Sequence, residues 1–71
     1  MQQRTEFIAL MVVEVHRKQD NIEPKLRFVN RNHIMQIWQE GEDVIIELTD
    51  YNKLKIQNEN IHILMDRFFQ I

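Results

Sequence analysis

Between Thr5 and Gln57 the apolar residues fall in short runs that alternate or are continuous for a few positions, divided by polar loops, and from Asn58 onward the period changes. A period of two is that of an extended chain, and spacings of three and four are those of a helix. Such a chain builds a small antiparallel sheet closed by one C-terminal helix. In the first run Phe7, Ala9, Met11, Val13 and Val15 share one side, and Ile8, Leu10, Val12, Glu14 and His16 share the other. The second side is apolar for three positions and then polar, as in a strand covered on both faces at its start and on one at its end. The β-branched content favours strand over helix.

Gln19 to Pro24 forms a loop, because Pro24 has no ladder donor and pushes the preceding residue out of helical space. Lys25 to Asn30 then alternates, with Leu26 and Phe28 expected inward and Lys25 and Arg27 outward. Asn30 and Asn32 interrupt this strand. Asparagine bonds its own backbone and tolerates left-handed geometry, so the pair is expected to turn or bulge the strand and bring Ile34, Ile37 and Trp38 to the core. Gly41, the only glycine, sits in the hairpin loop Gln39 to Asp43. Asp50-Tyr51-Asn52 is a second turn, with Asn52 expected in the left-handed position. Leu54 and Ile56 point in from a short outer strand whose Lys53 and Lys55 discourage edge pairing.

In the last segment Ile61, Leu64, Met65 and Phe68 fall on one helical stripe, with Asn58 or Asn60 available as the cap. The expectation is an α+β domain spanning residues 1–71. About four antiparallel strands form a curled sheet or partial barrel, one amphipathic helix covers it, and residues 1–5 are loosely ordered.

With these elements placed, the chain resembles small bacterial and phage proteins related to the flagellar and swarming-motility FlbD family. The likeness covers roughly residues 8 to 68 and lies in "FVN", "HI..I", "VIIELTD" and "LKI" followed by the helix. The turn at Asp50-Tyr51-Asn52 departs from the Asn-Gly usual in that family. The "VN..HI..I" strand and following hairpin also look like the last part of a LytTR-type DNA-binding domain. These resemblances imply a fold and carry no catalytic motif.

Composition narrows the chemistry. With neither cysteine nor serine, there is no disulfide, thiolate ligand or serine nucleophile, and a reducing, cytoplasmic setting is the expected one. The longest apolar run, Phe7 to Val13, is too short for a helical membrane span. His16, His33 and His62 do not share ligand spacing on one element, and Glu40, Glu42 and Asp43 read as a solvated turn rather than a calcium loop. No glycine-rich phosphate loop or acid/base constellation is present, so we expect no enzyme and no cofactor.

Net charge is −2, distributed unevenly: residues 1–34 hold six Lys/Arg against four Asp/Glu, and residues 35–71 hold three against seven. Arg17, Lys18, Lys25, Arg27 and Arg31 form a basic group that suits nucleic-acid contact, although the acidic total favours a solvated strand face. A small core with surplus apolar residues at both ends points instead to a non-catalytic protein-interaction module that forms a homo-oligomer. The residues expected at that contact are Ile8, Leu10, Val12, Phe69 and Ile71. A nucleic-acid-binding regulator and a phage-type inhibitor of a host protein are the alternatives.

Overall fold

The computed structural model describes residues 6–15 and 23–69. Five strands, β1 (Phe7–Glu14), β2 (Lys25–Asn30), β3 (Ile34–Glu40), β4 (Asp43–Leu48) and β5 (Lys53–Ile56), precede one helix, α1 (Ile61–Phe68). They form a single antiparallel sheet of order β2-β1-β5-β4-β3, so the chain is α+β with one more strand than expected.

The additional strand comes from Asn30 to Asn32. These residues end one strand and begin another, rather than bending one. Asn30 Oδ1 accepts from the Asn32 N–H at 2.9 Å and starts a 3-10 turn over Arg31–His33. Asn30 itself keeps an ordinary φ of −75°, so local side-chain bonding makes the turn without left-handed backbone. The turn joins β2, at one edge of the sheet, to β3, at the other. A register shift between Ile34 and Gln36 follows, leaving Met35 as the extra residue of a bulge. The bulge completes the change of phase, because it lets both Ile34 and Ile37 pack on the core.

Pairing decides which face of each strand is inside. The register sets Ile8 beside Val29, Ile37 beside Ile46, and Ile46 beside Leu54, and this row, with Leu10, Val12, Val44 and Ile56, is buried under Leu64 of α1. Ile8, Leu10 and Val12 are therefore core residues, and Phe7 and Met11 are the exposed ones. The β2 expectation is also reversed: Val29 is buried, while Leu26 and Phe28 are 57% and 67% exposed. Trp38 stands opposite Ile45 on the face away from the helix and is only partly buried. Ile45 and Val13 are buried on that same outer face, on either side of Lys55.

Two further expectations change. β5 is an interior strand between β1 and β4, so its lysines guard no edge; Lys53 instead faces Glu47 across the ladder. In the turn after β4 the left-handed residue is Tyr51, at φ 71°, because Asp50 holds Asn52 through both carboxylate oxygens. Gly41 has φ 63°, as its hairpin requires.

Helix α1 starts at Asn60, whose Oδ1 accepts from the N–H groups of His62 and Ile63. Truncating this cap, Asn60→Ala, should cost about 1 kcal/mol in a chemical melt, and a change near zero would mean that other contacts alone fix the helix start. Ile61, Met65, Phe68 and Phe69 are half-buried around the fully enclosed Leu64. Phe69 thus packs on the core from within its own chain.

Candidate interaction surfaces

The described residues present an uncovered sheet face and an apolar groove, each beside one of the two edge strands of the sheet. The first is the outer side of the β1–β2 ribbon. Its register places Phe7 beside Asn30, Ala9 beside Phe28 and Met11 beside Leu26, so one face of two adjacent strands carries Phe7, Ala9, Met11, Leu26 and Phe28 with no charge among them. Phe7 and Met11 are half exposed, as Leu26 and Phe28 are to a greater degree. Together they offer on the order of 400 Å² of apolar surface, the size of the largest patch on a typical monomer, which is often functional. β2 is moreover an edge strand, so its outer backbone has no neighbour in the sheet.

The second surface is a groove of about 410 Å³ between β3 and α1. Ile34, Met35 and Ile37 form one wall and Ile61 and Met65 the other, with Gln36 and His62 at the rim. None of these side chains is a carboxylate, lysine or arginine. Gln36 is held by Glu47, to whose Oε1 its amide donates. β3 is the other edge strand, so the groove runs beside unpaired backbone.

The groove keeps its shape because Gln39 fixes α1 to the sheet. Its Nε2 lies 2.9–3.1 Å from the carbonyls of Gly41, Asp43 and Glu59, and its Oε1 accepts from the Ile61 N–H at 2.8 Å. Two amide hydrogens thus serve three acceptors while the oxygen satisfies a donor at the helix start. Sequence reasoning missed this residue. Its position four before Asp43, on a strand entering a glycine hairpin, is the only signal, and it gives no hint of the helix. At the far end of α1, Arg31 Nη1 donates to the Phe68 carbonyl at 3.0 Å, while its backbone N–H donates to Glu6.

The residues expected at a nucleic-acid contact are dispersed among other tasks. Arg31 closes the C-terminal end of the helix, where a cation opposes the negative pole of the dipole. Arg27 pairs with Glu14 at 2.7 Å, and Lys25 is exposed at the start of the edge strand. Arg17 and Lys18 lie outside the described residues, as does Ile71. Of the residues expected at a self-association contact, Ile8, Leu10 and Val12 are enclosed in the core and Phe69 is half-buried against it. The exposed apolar set is the alternate one on the same strand, together with Leu26 and Phe28.

The acidic loop has structural work as well. Asp43 Oδ1 accepts from the Asn58 N–H, the Glu42 carbonyl from the Glu59 N–H, and Glu40 from the Trp38 indole. Among the described residues no group of three or more His, Cys, Asp or Glu is gathered as a metal site would need, and no helix is long and apolar enough to cross a membrane. No family model, curated protein or solved structure matches the chain.

Proposed function

We propose that this protein is a non-catalytic interaction module of the cytoplasm that associates with further copies of itself. The observation that carries the reading is the uncharged outer face of the β1–β2 ribbon, where Phe7, Met11, Leu26 and Phe28 stand exposed on two neighbouring strands, one of them an edge. Two copies contributing on the order of 400 Å² each approach the lower range of a stable interface once polar rims are added. A chain of 71 residues has a thin core of its own, and self-association is a common remedy at this size. The reading takes the sheet as curled toward a partial barrel, since only three residues join the strands at its two edges. The FlbD-like resemblance belongs to the same reading and rests on the sequence stretches quoted for it.

Sedimentation velocity tests the proposal. At tens of micromolar the parent should sediment well above its 8.8 kDa chain mass. Phe28→Glu should reduce it to a monomer that is still folded by circular dichroism, with the lower melting temperature that loss of association brings, because the side chain is 67% exposed and contributes little to the fold of the single chain. A parent that sediments as a folded monomer at that concentration overturns the reading.

A further inference from the structure

We propose that the copies join head to tail, the β2 edge of one docking against the β3 edge of the next, with Leu26 and Phe28 entering the groove between β3 and α1. This deepens the self-association proposed above and rests on it. The two edges are the only free ones in the described sheet, and each offers what the other lacks. β2 presents exposed apolar side chains at alternate positions, and the first half of β3, Ile34 to Ile37, lines an apolar recess. A small apolar molecule could fill the recess, but only an extended polypeptide also supplies partners for the unpaired N–H and C=O groups of the edge.

The strand directions permit this pairing. β2 and β3 run in the same direction within one sheet, as the antiparallel pairings from β1 through β5 and β4 require. Turning the incoming copy by half a turn, about an axis in the sheet and across its strands, makes its β2 antiparallel to β3. The same rotation exchanges its faces. Leu26 and Phe28, which point away from α1 in their own copy, then point toward α1 of the neighbour.

A register that sets Leu26 opposite Ile37 brings Phe28 opposite Met35, at the groove. It also places Lys25 opposite Trp38 and Arg27 opposite Gln36, on the outer face. Glu40 is then diagonal to Lys25, and Glu47 lies behind Gln36 on β4. Apolar residues thereby meet apolar residues, and Lys25 meets an indole ring with the exposed Glu40 diagonal to it.

A symmetric joint between two β2 strands is disfavoured by the same bookkeeping. Pairing Leu26 with itself sets Lys25 opposite Arg27, pairing Arg27 with itself sets two guanidinium groups together, and pairing Phe28 with itself sets Lys25 opposite Arg31. Like charges directly opposite destabilise a ladder. The head-to-tail joint has two unlike halves, and repeating it gives a ring or an open filament rather than a closed dimer.

Complementation by mixing tests this. Phe28→Glu damages the inserting strand, and Met35→Glu damages the receiving groove; both positions are exposed, at 67% and 46%, so circular dichroism should show both variants folded. Each alone should sediment as an 8.8 kDa monomer, and an equimolar mixture should give a species of twice that mass, because one intact half of each kind remains. If Met35→Glu assembles like the parent, the head-to-tail joint is wrong and association runs through the β1–β2 face alone. If both variants are monomeric and do not recombine, or if Phe28→Glu still assembles, the joint is likewise overturned. A monomeric parent removes self-association itself, and this proposal with it.

Discussion

Ile46→Ala is expected to destabilise the domain by about 2–5 kcal/mol, the usual range for emptying a fully buried aliphatic site. Ile46 has no exposed surface and stands in the middle of the sheet, with Ile37 on one side and Leu54 on the other. Neighbours held by ladders on both sides cannot collapse into the space, so the upper part of that range applies. Small domains have only about 5 kcal/mol or somewhat more in total, so the variant should be largely unfolded at room temperature. Urea titration followed by circular dichroism measures it. A midpoint close to that of the parent would place Ile46 outside the core and invalidate the register on which the sheet is built.

Leu64→Ala should have an effect of the same order, about 2–5 kcal/mol, for a different reason. Leu64 is the one fully enclosed residue of α1, and an eight-residue helix has no stability apart from what it packs on. The helix is also bonded to the sheet at both ends, by Gln39 at Ile61 and by Arg31 at Phe68. Its loss should consequently appear as one earlier, cooperative transition of the whole domain. A variant whose tryptophan fluorescence melts like the parent while helical ellipticity is lost would show that α1 is an accessory to an independently stable sheet.

The strands and the helix were legible because period and punctuation agree: Gly41 marks its hairpin, and the stripe from Ile61 to Phe68 marks its helix. The inside of β1 was not. A period of two separates two faces without saying which is covered, and both faces of Phe7 to Val13 are apolar. The assignment depends on Val29, Ile46 and Leu54, which are distant in sequence and are brought together only by pairing. The same limit misplaced Leu26, Phe28 and Trp38 and made β5 an edge. At Asn30 the bonding tendency was read correctly and its consequence underestimated: a turn there does more than bend a strand, since β2 and β3 have different neighbours throughout. The groove was invisible for a related reason. Its two walls come from β3 and α1, and no local pattern announces that a strand edge and a helix will leave a gap.

The divided pairing of β1 has a kinetic consequence. Its first six residues, Phe7 to Val12, pair with β2, whereas Val13 and Glu14 pair with β5. The first ladder is a hairpin between neighbours in sequence and can form without waiting for the rest of the sheet. The second must close a loop containing nearly all the remaining strands, and loops of that length form slowly because their closure entropy is met before many contacts compensate. A hairpin formed before the second ladder has both faces uncovered, the core row of Ile8, Leu10 and Val12 as well as the outer row of Phe7 and Met11. Pairing of β5 with Val13 and Glu14 is the step that brings the rest of the sheet to this hairpin, and transiently uncovered apolar rows of this kind are what makes folding intermediates prone to aggregate.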